Sequence, residues 1–200
     1  MYVDQFDGFL TWAWVRTSLV PFFPKVYAGR VALLGRNTNG YKKNDAQFFR
    51  FHVGQAVLFG QQIGWINADV VDNPEKNDYL RRMCHVRWDY KDFFSRGEML
   101  RPPVVVEGQK TYLSDVSMGM SEMHPAELVL AAAWRLDSRT LILLTNTSDE
   151  PVQAIVAYDQ AELDVSDQPE ERAYGGARCL SARPGTLRVE LGPRSALAWG

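Results

Sequence analysis

Two early acids, three tryptophans, an Arg-Asn pair and a Gln-Gln pair are the side chains of this 200-residue chain whose types and positions could do proton-transfer, stacking or hydrogen-bonding chemistry. Asp4 and Asp7 precede the first apolar run, where a carboxyl group can transfer a proton or accept a hydroxyl hydrogen bond. The same two acids also suit a solvated turn before a strand. Trp12 and Trp14 share one face of an extended segment, and Trp65 stands beside Gly64 at a chain bend. An indole face can stack on the C–H face of a sugar ring, but core packing is the plainer use for Trp12 and Trp14. Arg36 and Asn37 directly follow the apolar run Val31–Gly35 and bring a guanidinium and an amide to its end. Gln61 and Gln62 interrupt a helical stretch otherwise rich in apolar residues, so a buried amide there needs a partner, either backbone or ligand.

Other chemistries lack their residues. Cys84 and Cys179 fall one in each half with no zinc spacing, and buried structural thiols are expected. His52, His85 and His124 have no companions at ligand spacing, so neither a metal nor a cofactor is expected. The sequence holds no GxSxG, GxGxxG or GxxxxGK[ST] motif. A formal charge of -2 with 22 scattered Lys and Arg provides no field for nucleic acid. No segment reaches the roughly 20 apolar residues that span a bilayer. The first residues, MYVDQFDGF, carry acids rather than the basic-then-apolar order of a secretory signal.

The elements that must position these residues change character along the chain. All ten phenylalanines lie at or before Phe94, and beyond Val104 the apolar residues are Val, Leu, Ile and Ala in short runs. Gly8–Val15 and Val31–Gly35 read as buried strands, with a short helix over Pro24–Gly29 between them. That order suits parallel strands joined by a crossover, whose ligands collect past the carboxyl ends of the strands. Asn44 with Gln47 has capping-box spacing, and Phe49, Val53, Ala56, Gly60 and Ile63 recur at helical steps, which predicts a helix of about five turns packed on two sides. Asn73-Pro74-Glu75 starts a second helix with Tyr79, Met83, Val86, Tyr90 and Phe93 on one stripe, closed at Gly97. After Arg101 the pattern becomes that of strands. Leu128–Leu136, Thr140–Thr145 and Val152–Tyr158 predict an antiparallel meander, followed by Ala177–Leu180, Thr186–Leu191 and Ala196–Trp199.

The ordered series DGFLTWAW, VPFFPKVYAGRVALLGR, FHVGQAVLFGQQIGW, RGEMLRPP and AAAWRLDSRTLILLTNTSDEPV resembles the carboxyl-terminal half of bacterial glycoside-hydrolase-like proteins. The resemblance implies an α+β chain: residues 1–101 as the last β/α units of a TIM-like barrel, mostly helical, and residues 102–200 as an antiparallel β-sandwich. It also implies a truncated amino terminus, because a complete barrel takes about 250 residues. Glycoside hydrolysis commonly uses two carboxylates roughly 5 to 9.5 Å apart. At least one is expected to lie upstream, with Asp4 and Asp7 as weak candidates within the chain. Trp12, Trp14, Arg36, Asn37, Gln61 and Trp65 are then substrate contacts, with Arg36 and Asn37 directly after a barrel strand.

Two readings follow. In the first, the chain is a fragment of a carbohydrate-active protein, inactive alone, whose partners are a carbohydrate and either the missing barrel segment or a second copy. In the second, it is a non-enzymatic sandwich module binding carbohydrate or protein, with a helical adaptor.

Overall fold

The computed structural model describes residues 8–10, 22–27, 32–35, 46–64, 66, 70–117, 120–163 and 169–200. Strands β1 (Gly8–Leu10) and β2 (Ala32–Leu34) pair in parallel, with helix α1 (Phe22–Tyr27) in the connection between them. A third segment joins them, because Leu34 and Gln62 form a parallel bridge.

Helix α2 (Ala46–Leu58) is shorter than its apolar periodicity predicts. It ends because Gly60 turns the chain at φ +70°. That left-handed conformation costs a residue with a Cβ about 1–2 kcal/mol. The Trp134 ring also lies 2.7 Å from where such a Cβ would sit. The carbonyls at this helix end find outside donors: Trp134 Nε1 to Leu58 at 2.8 Å and Arg87 Nη1 to Gly60 at 3.2 Å. Gln61 and Gln62, expected on the helix, therefore lie on the extended segment beyond it.

Every residue of α2 from Phe48 to Leu58 is buried, including Arg50, His52 and Gln55. Helix α3 (Pro74–Asp89) begins as expected, with Asn73 Oδ1 accepting from the Lys76 amide at 3.0 Å. Its buried stripe is Tyr79, Met83 and Val86. The expected continuation to Gly97 is broken at Tyr90, and Gly97 instead closes a separate short helix, α4 (Lys91–Arg96). Gly54 leaves room on α2 for the Tyr79 hydroxyl, which donates to Thr145 Oγ1 at 3.1 Å. Thr145 in turn donates to the Ser195 carbonyl at 3.0 Å. Burial pushes the Tyr79 phenol well above its usual range, so it remains a donor.

The remaining strands are β3 (Glu98–Met99), β4 (Val104–Glu107), β5 (Lys110–Ser117), β6 (Met120–Glu127), β7 (Val129–Leu136), β8 (Arg139–Asn146), β9 (Val152–Ala157), β10 (Glu171–Tyr174), β11 (Ala177–Arg183), β12 (Thr186–Leu191) and β13 (Ala196–Trp199). One sheet has the order β10-β13-β8-β7-β3 and a second β11-β12-β9-β4, while β5 and β6 form a hairpin of their own. All pairs within these sheets are antiparallel.

Side-chain alternation explains why the first sheet reads as nearly continuous apolar runs. Leu130, Ala132, Trp134 and Leu136 of β7, with Leu141, Leu143, Ala196 and Ala198, pack with the helices around Phe51, Tyr79, Met83 and Phe94. The alternate residues Val129, Ala133, Ile142, Leu144, Leu197 and Trp199 form a different cluster with Val152, Val156, Leu187 and Val189 of the second sheet. A sheet buried on both faces has no polar side to show. The second sheet has one covered face, and β9 and β12 accordingly alternate.

The expected meander holds for β7 and β8 only. After Asn146 the chain crosses to the second sheet, so β9 pairs with β12 and β4. Cys84, expected buried, is exposed on α3, and Cys179 is half-buried.

Candidate functional site

The three parallel segments define a common direction. Register runs from Gly8↔Ala32 to Leu10↔Leu34. The Gln62 amide donates to the Leu33 carbonyl at 2.6 Å, and Gly35 donates to the Gln62 carbonyl at 2.7 Å. The chain therefore leaves β1 past Leu10, β2 past Gly35 and the third segment past Gln62, all toward one edge.

Of the side chains predicted to work there, Gln61 is described. Asp4, Asp7, Trp12, Trp14, Arg36, Asn37 and Trp65 lie outside the described residues. Gln61 is 3% exposed, and its backbone amide donates to the Ala56 carbonyl at 2.8 Å. Its side-chain oxygen Oε1 is buried with no hydrogen-bond partner. Leaving such an acceptor unmet costs about 1–3 kcal/mol, which a donor from a ligand would recover. Gly35 is what permits this packing. A Cβ there would lie 2.8 Å from the Ala56 Cβ, 3.0 Å from the Gln62 carbonyl oxygen and 3.5 Å from Gln61 Oε1. Gln55, on α2, likewise buries an Oε1 without a partner.

A second polar group holds the helix that follows residues 36–45. The Arg50 side chain, 2% exposed, donates through Nε to the Thr147 carbonyl at 2.6 Å and through Nη2 to Asp149 Oδ2 at 2.7 Å and Gln47 Oε1 at 3.2 Å. Gln47 Nε2 donates to Thr147 Oγ1 at 2.9 Å, and that hydroxyl donates to the Leu128 carbonyl at 3.0 Å. The loop is closed by its own hydrogen bonds, from Asn146 Nδ2 to the Glu150 carbonyl at 2.7 Å and from Ser148 Oγ to Asn146 Oδ1 at 2.8 Å. Sequence reasoning missed Arg50. The signal was a lone guanidinium within FFRFHV, where a charge can be buried only if partners meet it. His52 packs edge-on to Phe48 at 4.3 Å and Phe51 at 5.5 Å, in keeping with a structural role. Among the described residues no group of three or more His, Cys, Asp or Glu could hold a metal ion.

No family profile and no curated protein sequence matches the chain. Solved structures do. The maltogenic alpha-amylase AmyB from Thermotoga neapolitana superposes with a TM-score of 0.50 at 10% identity, over 90% of this chain and 45% of that one. The likeness is one of fold. An alpha-amylase from H. orenii gives 0.48 at 10% identity over 86% and 40% of the two chains. A GH30 endoxylanase from Clostridium papyrosolvens gives 0.46 at 11% over 96% and 47%. The chain thus spans less than half the length of each of these three structures.

Proposed function

We propose that the chain is part of a glycoside-hydrolase-like, carbohydrate-active protein and carries part of a sugar-binding face without a complete catalytic carboxylate pair. The face lies past the carboxyl ends of β1, β2 and the segment at Gln62. The observation that carries this reading is the buried, unpartnered Gln61 Oε1 beside Gly35 at the end of a parallel strand. Open parallel sheets bind ligands at that edge. Covalent continuity adds to it: Arg36 follows Gly35 directly, so their Cα atoms are about 3.8 Å apart. Trp12 follows Leu10 by two residues, and Trp65 follows Gln62 by three. Arg36 and Asn37 would bind hydroxyl groups, and Trp12, Trp14 and Trp65 would stack on ring faces. The fold shared with a maltogenic alpha-amylase supports a barrel-end arrangement followed by a β-sandwich.

The test is calorimetric titration of the 200-residue chain with maltoheptaose and xylohexaose, for the wild type, Gln61→Leu, Arg36→Ala and Trp12→Ala. Each variant is expected to weaken binding about tenfold or more, equivalent to roughly 1.4 kcal/mol. Gln61→Leu should do so with an unchanged or raised thermal midpoint, because it removes an unmet acceptor. Wild-type affinity in all three variants would refute the assignment.

A further inference from the structure

Gln61 projects from a piece of backbone whose two flanking peptide units are both held. A peptide unit is planar, so a carbonyl and the N–H of the next residue turn together. In the unit between Gly60 and Gln61, the N–H donates to the Ala56 carbonyl at 2.8 Å and the carbonyl accepts from Arg87 Nη1 at 3.2 Å. In the unit between Gln61 and Gln62, the N–H donates to the Leu33 carbonyl at 2.6 Å. The φ and ψ of Gln61 lie between these two held planes, which sets the direction in which its side chain leaves the backbone.

Two of these three tethers run backbone to backbone, from α2 and β2. The third is a side chain of α3. Arg87 is half-buried, and its guanidinium lies 5.6 Å from the Phe94 ring centroid. Phe94 packs edge-on against Trp134 with centroids 5.3 Å apart, and Trp134 Nε1 holds the Leu58 carbonyl. The guanidinium that holds the Gly60 carbonyl and the ring that would meet a Cβ on Gly60 are thus joined through Phe94. A planar guanidinium suits the place, because its face can cover a ring while an N–H at its edge reaches a carbonyl.

We infer that Arg87 is a positioning residue for the strand-edge site: by holding the Gly60 carbonyl it fixes the backbone from which Gln61 presents its buried Oε1 to a sugar hydroxyl. It acts through Gln61 and is not itself a ligand contact. The identity of the ligand rests on the carbohydrate reading above, whereas the held peptide unit is a property of the free chain.

The experiment has two arms, both on the full chain. Without sugar, amide hydrogen exchange followed by NMR should show the Gln61 amide exchanging about fivefold or more faster in Arg87→Met, with the amides of β7 and β8 at their wild-type rates. With maltoheptaose or xylohexaose, Arg87→Met should weaken calorimetric binding about fivefold or more, and Arg87→Lys, which keeps a charged donor, should recover part of that loss. The double variant Gln61→Leu, Arg87→Met should bind no worse than Gln61→Leu. A general loosening of the fold would instead raise exchange in β7 and β8 and add to the Gln61→Leu loss. An unchanged Gln61 exchange rate, wild-type affinity in Arg87→Met, or additive losses in the double variant overturns the inference, while Gln61→Leu still tests the carbohydrate reading. Binding of neither sugar by the wild type overturns the carbohydrate reading and the role of Arg87 in binding with it, even where the exchange rate rises.

Discussion

Arg50 Nη2 donates to Asp149 Oδ2 at 2.7 Å across 99 residues of sequence, joining the first turns of α2 to the loop where the chain changes sheets. The two partners differ in exposure, 2% for the Arg50 side chain and 48% for Asp149, so the two deletions are unequal. Arg50→Ala strips the Thr147 carbonyl of its donor and leaves a cavity, and is expected to cost about 3 kcal/mol. Asp149→Asn keeps an acceptor beside the guanidinium and should cost about 1 kcal/mol. Urea denaturation with unchanged m-values would measure both, and equal losses would show that the ion pair does not organise this contact.

Gly60 answers to two constraints, its φ of +70° and the Trp134 ring. Gly60→Ala is expected to lose about 2–4 kcal/mol, part from the left-handed backbone and part from the clash. Trp134→Phe, which removes the indole that meets the new Cβ, should relieve the second part. A double-mutant cycle would show a favourable coupling of about 1 kcal/mol, and strict additivity would leave backbone strain as the whole cost.

The Glu98 carboxyl is held below its ordinary range by hydrogen bonds from Lys25 and Arg135, at 2.8 and 2.9 Å. A group with a depressed folded pKa contributes stability above its unfolded pKa and loses it as pH falls through the folded value. Glu98→Gln should therefore lower the thermal midpoint slightly at pH 7 and not at all in acid below the carboxylate range. All three side chains are more than 40% exposed, so the effect is small and should shrink further in high salt. A difference of the same size at both pH values would contradict the linkage.

Among the described strands, β1 has a neighbour on one side only. A strand edge that no other segment covers can recruit another chain. The 200-residue chain, expressed alone, is expected to self-associate with concentration in sedimentation velocity. A single monomeric species across a hundredfold concentration range, roughly spanning 3 kcal/mol of association free energy, would remove that expectation.

The start of α3 was legible because three adjacent residues each carry a local reason: a side-chain cap, a ring that needs no donor, and an acid at the positive helix end. The end of α2 was not, since it depends on Trp134, more than seventy residues away, filling the space beside Gly60. The β5–β6 hairpin escaped notice because Pro125 sits within it, opposite Tyr112. Proline reads as a strand breaker, yet a two-stranded hairpin has edges that tolerate a missing donor. The change of sheets after Asn146 was equally hidden, because apolar runs record burial and not which neighbour does the burying. Gln61 could be found from sequence as an amide in an apolar stretch. Arg50 could not be interpreted there, since its partners arrive a hundred residues later.

That separation matters during synthesis. At about 5–20 residues per second, α2 leaves the ribosome roughly 5–20 s before the loop that answers its guanidinium exists. In that interval a helix that is buried all round in the finished protein is exposed together with an unmatched cation. The synthesis rate between residues 50 and 149 therefore sets how long α2 waits for its partners, while the stability of the finished fold does not depend on it.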